Sequence, residues 1–373
     1  MNITMKLIKI CLAAIPCLVL AGCNGDSQKV TGNMENAVAR QYLETVTYPD
    51  GNYEETAIDG FDTLKTSFRK DQPAPLVIRW DNDGSWNYQF LVVTTDKKMQ
   101  DTLFCQSLEG LADSACVFNL VPDRTYWFRI NGGKGKKVKL VTKGTLTAEG
   151  PLRMIRTDAL HNVRDMGGWK TADGKTLRYG LLFRGGQMNR QDPPSAMDID
   201  LMTRQLGIKA DVDLRWDSEL NGGTPDDPSD DLYYTPLGEG VEYAHMPVNL
   251  YDPGNADKAQ WNKMLTFVMD HVIAGKPCYI HCAAGADRTG TTCFLLEGLL
   301  GVPEQSLSQE YELTSFSTYG RRRRNESVAY KNLVTYILNC EGETIRDKVE
   351  NYITGYVGIP KEKVEAFREA MLK

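Results

Sequence analysis

The sequence predicts an α/β domain, a sheet flanked by helices, preceded by a small all-β sandwich. The hydrophobic period changes near residue 150, from short alternating strands to strands that alternate with helical segments. The chain has 373 residues, 42% hydrophobic and 25% charged, which is ordinary globular composition for about two domains. Disorder and a polytopic membrane protein are therefore disfavoured.

The charge balance disfavours nucleic acid as a partner. The formal net charge is -6 at pH 7, whereas a broad electrostatic binder of nucleic acid carries the opposite sign. Oligomeric state is left open by the sequence.

The N-terminus resembles a bacterial lipoprotein signal. Lys6 and Lys9 precede an apolar stretch over 10–20 that is too short to span a membrane and ends Leu20-Ala21-Gly22-Cys23. The resemblance implies removal of residues 1–22 and lipidation of Cys23. It also implies a cell-envelope location, with the outer membrane favoured and its face open. A plain secretory signal with an incidental cysteine is the alternative.

Residues 23–45 are polar and mixed, and are predicted to form a tether, followed by the β-sandwich over 46–150. Strands are indicated by apolar or alternating runs separated by Asn-Asp-Gly and Asn-Gly-Gly turns. They are Pro75–Trp80, Tyr88–Val92 and Tyr126–Ile130.

The segment from Leu120 to Tyr126, Leu-Val-Pro-Asp-Arg-Thr-Tyr, is similar to the tyrosine corner of fibronectin type III domains. A spacer is the favoured role for this domain, and binding of a partner or glycan is the alternative. Cys105 and Cys116 are candidates for a disulfide, which the sequence leaves undecided.

Residues 151–373 are predicted to form the α/β domain. Helices are expected over 195–206 and 291–300, and a third is expected where Trp261 and Val272 fall on one helical face. Strands are expected over 208–214 and 277–280. The second strand joins the last helix through His281-Cys282-Ala283-Ala284-Gly285-Ala286-Asp287-Arg288-Thr289-Gly290.

This strand–loop–helix segment suits chemistry on phosphate esters. Backbone N–H groups and a helix N-terminus converge there on one point, and small residues at 283–286 let the backbone wrap an oxyanion. Cys282 in that field is the candidate nucleophile, and Arg288 the clamp for two phosphoryl oxygens. Thr289 is a candidate donor to the cysteine sulfur, and His281 a supporting residue.

Cys-x5-Arg-Thr is the signature of cysteine-dependent phosphatases, and the domain resembles the bacterial atypical tyrosine phosphatases. Their motifs match Asn162–Gly168, Leu182–Gly186 and Asp213-Leu214-Arg215 over about residues 151–373. The resemblance implies a phosphocysteine intermediate and no cofactor. Ala286 stands where the family usually has lysine, which weakens an expectation of phosphoinositide hydrolysis.

Two carboxyl groups compete for the role of general acid, which protonates the leaving oxygen. The resemblance favours Asp287, inside the loop. Asp252 lies thirty residues before Cys282, where other cysteine phosphatases often carry a mobile acid loop. The alternatives are that Asp287 only orients Arg288 and that Asp252 belongs to a surface turn.

Other charged residues are assigned supporting or structural roles. Arg164, Arg184, Arg215 and Asp213 either line the cleft or form structural ion pairs, and the run 321–324 is expected to be a solvated surface segment. No spacing typical of metal ligands or of a dinucleotide site occurs.

The sequence thus favours a lipid-anchored phosphomonoesterase that acts on phosphotyrosine in proteins. A phosphatase for phosphoinositides or other small phosphate esters is the first alternative. A surface-binding lipoprotein is the second.

Overall fold

The computed structural model describes residues 27–45, 72–189, 193–220, 232–248, 252–320 and 322–373. The leader over 1–22, Cys23 and most of the segment 46–73 lie outside these ranges. The chain forms two compact units. One comprises residues up to Met34 together with Ala74–Gly150, and the other comprises Glu35–Pro73 and Pro151–Lys373.

In the described residues of the first unit, the regular elements are seven strands in two sheets. A five-stranded sheet has the order β1-β7-β6-β3-β4, and β2 pairs with β5. Buried side chains from both sheets, among them Ile78, Leu91, Phe128 and Leu146, form one core. The strands are β1 Gln28–Asn33, β2 Leu76–Arg79, β3 Tyr88–Thr94, β4 Thr102–Glu109, β5 Ser114–Val117, β6 Thr125–Lys134 and β7 Lys137–Glu149.

The predicted tyrosine contact is present in this unit. The Tyr126 hydroxyl accepts a hydrogen bond of 3.1 Å from the Val121 backbone N–H, and the ring is buried. Cys105 lies in β4 and Cys116 in β5, which belong to different sheets, and the two thiols are not joined by a disulfide.

The second unit contains a six-stranded sheet in the order β12-β11-β13-β10-β9-β8. Strands β10 to β13 run parallel to one another, whereas β9 is antiparallel to both of its neighbours, β8 and β10. The strands are β8 Arg153–Met154, β9 Arg164–Asp165, β10 Leu182–Gly185, β11 Ala210–Asp213, β12 Glu242–His245 and β13 Cys278–His281.

Helices pack around this sheet. The face shared by Trp261, Met264 and Val268 is buried as the sequence predicts, and Gly275, just beyond the helix end, has a left-handed φ of 67°. The helices are α1 Ala37–Thr45, α2 Ala196–Asp200, α3 Asp217–Leu220, α4 Lys258–Ile273, α5 Asp287–Leu300, α6 Glu304–Glu312, α7 Val328–Leu338, α8 Ile345–Asn351 and α9 Lys361–Met371. Within the described ranges, no helix is both long and apolar enough to cross a membrane.

The tether predicted over 23–45 is wrong for residues 28–45. Strand β1 pairs with β7 in the first unit, and α1 belongs to the second unit. Ala39 and Tyr42 are buried in the core of that unit, where the Tyr42 ring meets the Phe316 ring edge-on at 5.5 Å. Few apolar residues suffice here because they recur on one face of a single short helix.

Substitution of Tyr42 by alanine tests whether α1 is part of the catalytic fold. We expect Tyr42→Ala to lower the free energy of unfolding of the second unit by about 3 kcal/mol, since a buried ring leaves a cavity. Arg40→Ala, on the exposed face of α1, is the control. Urea denaturation, followed by hydrogen exchange of the α5 backbone amides, measures the free energy of unfolding of each variant. Equal effects would mean that α1 is only a linker.

Candidate active site

The signature loop, residues 282–288, leaves β13 and enters α5 at the carboxyl ends of the parallel strands, where α/β sheets usually bind ligands. His281 lies beside Gly185 of β10 on one side and Asp213 of β11 on the other. The registers therefore bring the predicted arginine and aspartate motifs to the loop. Cys282 is 3% exposed at its base.

Three successive carbonyl groups of the loop, those of residues 283–285, accept hydrogen bonds from the surrounding protein. Ala283 O accepts from the Gln187 backbone N–H at 3.1 Å. The Asn162 side chain donates to Ala284 O and Gly285 O, both at 3.1 Å. Arg184 Nη2 donates to Gly285 O at 2.6 Å. Because the N–H and C=O of a trans peptide point in opposite directions, the following amides face inward and form a cradle for an anion.

Gly285 is required where the loop passes β10. Its φ is +64°, a left-handed conformation that costs glycine little. A Cβ atom at this position would lie 2.0 Å from Gly185 O. Any larger residue would therefore force the loop away from the strand.

A buried carboxylate braces two of the predicted arginines behind the loop. Glu310 Oε2 accepts a hydrogen bond from Arg184 Nη1 at 2.5 Å, and Glu310 Oε1 accepts one from Arg164 Nε at 2.8 Å. Burial opposes the charged carboxylate, but the two guanidinium groups hold the pKa of Glu310 below its ordinary value. Arg164 and Arg184 are thus structural ion-pair partners, and Arg184 also holds a loop carbonyl.

Glu297 of α5 is buried near this cluster. Its side chain is fully buried, and its oxygens have no hydrogen-bond partner among the described residues. Burial and the neighbouring Glu310 raise the pKa of Glu297 well above its ordinary value. The Glu310 carboxylate, in contrast, is shared by two guanidinium groups beneath the loop.

A second network fixes the other side of β13. His281 Nε2 lies 2.9 Å from Asp211 Oδ1, and Arg215 donates to Asp213 through Nε and Nη2. Burial opposes charge on the ring, but Asp213 and Asp211 raise the pKa of His281. Burial likewise opposes the Asp213 carboxylate, but His281 and Arg215 lower its pKa to about 2. Arg215 is fully buried and therefore structural.

Arg288 is oriented by residues that directly follow the Asp-Leu-Arg motif. Glu219 of α3 binds both terminal nitrogens of the guanidinium, with Nη2 to Oε1 at 2.8 Å. The Trp216 ring lies against the guanidinium, with 4.5 Å between Cζ and the ring centroid, and is 38% exposed. Glu219 thereby fixes one edge of the planar fork, and the Nε–Nη2 edge remains a separate edge suited to two oxygens.

Asp287 is held at the first turn of α5. Its Oδ1 accepts from the hydroxyls of Tyr311 and Ser327, each at 2.8 Å. Its Oδ2 lies 3.4 Å from Arg322 Nε. The carboxyl group is thus positioned directly beside Arg288 in the chain, and its contacts run to α6 and the start of α7.

The rival acid has different surroundings. Asp252 Oδ2 accepts from Asn255 at 2.8 Å, and Pro253 and Gly254 accept hydrogen bonds from Tyr352 and Tyr356. Within the described part of the chain, Asp252 forms no hydrogen bond or ion pair with the signature loop.

The predicted role of Thr289 has no hydrogen bond to support it. Its hydroxyl is buried and has no partner among the described residues, so the expected donation to the Cys282 sulfur is not formed. Cys278 lies in the core, where burial raises the pKa of its thiol to about 12. It is therefore a core thiol.

The expectation of a solvated basic run is wrong for Arg323 and Arg324, which are buried. Arg324 donates its backbone N–H to Glu312 Oε1 at 2.9 Å and Nη1 to Ser308 at 3.1 Å. Buried carboxylate and hydroxyl acceptors on α6 draw the run inward. Arg322 is partly exposed and reaches Asp287, and Arg321 lies outside the described residues.

Sequence reasoning missed several residues that shape the site. The sequence offered a signal for Asn162, the first residue of a quoted motif, and for Glu219, six positions after Asp213. Glu297 and Glu310 carried none, because nothing in a helical segment reveals which carboxyl group faces inward. Across the described ranges, no three His, Cys, Asp or Glu side chains are grouped to hold a metal ion.

Parts of this chain are similar to known proteins. A 27% identical relative over 172 residues is a Cupriavidus necator protein provisionally named a tyrosine-protein phosphatase; the match covers 41% of this chain and 60% of the relative's length. Similar solved structures include the core catalytic domain of the S. cerevisiae PP-IP phosphatase SIW14 (TM-score 0.30, 16% identity, 49% of this chain and 94% of that one). Another is PTPMT1 in complex with PI(5)P (TM-score 0.28, 13% identity, 48% and 95%).

A model of the tyrosine phosphatase family matches residues 155–373, more than half of the chain. This range contains the signature loop, the two arginine networks and both candidate acids. The chain therefore belongs to the tyrosine phosphatase family.

Proposed function

We propose that the chain hydrolyses phosphotyrosine in proteins through a phosphocysteine intermediate on Cys282. The observation that carries the proposal is the loop itself, with its carbonyls bound outward and its cysteine at the base. Amide groups at the start of α5 and the two arginines behind the loop favour a bound anion.

The proposed reaction has two steps. In the first, the Cys282 thiolate attacks phosphorus, the bond to the ester oxygen breaks, and Asp287 gives that oxygen its proton. In the second, water attacks phosphorus, Asp287 takes a proton from the water, and the sulfur leaves as thiolate. The Nε–Nη2 edge of Arg288 and the loop amides hold the phosphoryl oxygens in both steps.

Asp287 is the better candidate for the acid because of its place in the fold. It adjoins Arg288, and three groups fix its carboxyl oxygens. Asp252 instead pairs with Asn255 in a turn that tyrosines of the 352–356 segment hold.

Two features of the rim support an aromatic substrate. Trp216 presents an exposed ring beside the guanidinium of the clamp, where a phenyl group of the substrate can pack. Alanine stands at position 286, where the resemblance implies lysine, so this buried position adds no positive charge to the loop. Arg322 beside Asp287 favours the second candidate, a phosphatase for substrates with further anionic groups such as inositol phosphates.

We propose that the protein acts in the cell envelope, anchored by lipid on Cys23, with the outer membrane favoured. The leader, its small residues before Cys23 and the absence of an acidic run after it support this location. The first unit, proposed to be fibronectin type III-like, serves as a spacer. The rival is a binding lipoprotein whose loop only holds anions.

Turnover by the mature chain in EDTA tests this proposal. We expect hydrolysis of a phosphotyrosyl peptide in preference to a phosphoseryl peptide and inositol phosphates. Cys282→Ser should lower kcat by at least about 1,000-fold, since it removes the nucleophile. Cys278→Ser, in the strand that leads into the loop, is the matched control and should retain turnover. No turnover on any of these substrates would contradict the proposed phosphatase activity and favour the binding lipoprotein.

The assignment of the acid predicts a dependence on the leaving group. Asp287→Asn should lower kcat on a phosphotyrosyl peptide by about 100-fold. On p-nitrophenyl phosphate, whose leaving group needs little proton assistance, the loss should stay below about tenfold. Asp252→Asn is the matched control. A leaving-group dependence seen with Asp252→Asn instead would transfer the acid role to that residue.

A further inference from the structure

The β6–β7 hairpin of the first unit carries a concentration of positive charge that the catalytic site does not use. The lysine hairpin is defined here by the exposed side chains of Lys134, Lys136, Lys137, Lys139 and Lys143. They lie on an otherwise acidic chain of net charge -6.

These lysines are not neutralised by the protein. None of the five forms an ion pair with any residue in the described ranges. Lys134 pairs directly with Lys137 across the hairpin, and Lys143 with Arg129. Like charges directly opposite each other destabilise a sheet. The nearby acids, Asp83 and Glu109, lie on the neighbouring loop and strand at the same end of the sheet.

The N-terminal end of β1 points toward the lysine hairpin. Strand β1 is parallel to β7 and begins with Gln28 beside Gly144. Going back from Gly144, β7 runs through Lys143 to Lys137. Cys23 precedes Gln28 by five residues, which span at most about 17 Å. A lipid on Cys23 would therefore be held within reach of the hairpin.

Apolar side chains are exposed at the same end. Leu111 is 76% exposed in the turn after β4, and Val138 is 37% exposed between the lysines. Tyr88 pairs with Glu109 of β4 and Gly133 of β6, and Gly133 pairs with Val138. Basic residues around exposed apolar groups are typical of surfaces that bind the headgroup region of a bilayer.

We propose that the lysine hairpin binds anionic lipid headgroups of the membrane that the lipid on Cys23 enters. The proposal builds on the lipid anchor but is independent of catalysis. Each Lys or Arg near an anionic surface adds to the attraction, so the hairpin would orient the first unit on the membrane that the lipid enters. The alternative is that the lysines only protect the part of β7 that β1 leaves uncovered from edge-to-edge pairing.

Vesicle sedimentation of the unlipidated mature chain, residues 24–373, separates these explanations. The vesicles are phosphatidylcholine alone or with about 30% phosphatidylglycerol. The test variant changes Lys134, Lys136, Lys137 and Lys139 to glutamine. The control variant changes four exposed lysines of the second unit to glutamine: Lys170, Lys209, Lys276 and Lys361.

We expect the wild type to bind the anionic vesicles only, and the hairpin variant to bind at least about tenfold more weakly. The control should stay within about twofold. Arginine at the four hairpin positions should preserve binding. Equal affinities of the two glutamine variants, or no binding by the wild type, would overturn the proposal. Self-association of the hairpin variant with unchanged vesicle affinity would assign the lysines to edge protection. Phosphatase turnover by each variant reports separately on the catalytic unit.

Discussion

The bridge that Glu310 makes between Arg164 and Arg184 is the interaction on which the site depends. Arg184 reaches from this bridge to Gly285 O, and Arg164 contacts Asn162, whose amide binds the same carbonyl and that of Ala284. Helix α6, strand β10 and the N-terminal motif are thereby joined behind one loop. Removal of one partner would leave a buried charge without compensation, which costs several kcal/mol.

Burial acts differently on the two carboxyl groups near this bridge. It raises the pKa of Glu297 well above its ordinary value, whereas the two arginines hold the pKa of Glu310 below its ordinary value. The guanidinium groups that share Glu310 lie behind the loop, where positive charge favours a bound phosphate. Glu219 performs a different task, since it orients Arg288 without being buried to the same degree.

Sequence patterns predicted the alternation of two strands with three helices around the signature loop, the position of that loop and the motifs that meet there. These features depend on local periodicity and short spacing, which a sequence displays. The tether prediction failed because a six-residue strand and a nine-residue helix are too short for a periodic signal. The prediction for 321–324 failed because Glu312 and Ser308, which bind Arg324, are distant in sequence and look like surface residues. Glu310 and Glu297 were missed for the same reason.

The most direct test of the account is to find the phosphoryl group on Cys282 during turnover. A reaction with phosphotyrosyl peptide is quenched rapidly in acid and digested, and the peptides are analysed by mass spectrometry with fragmentation. The account predicts one added phosphoryl group on Cys282, with Cys278 and Cys293 unmodified and no adduct in Cys282→Ser. Rapid turnover without a phosphorylated cysteine, or continued turnover by Cys282→Ser, would contradict it.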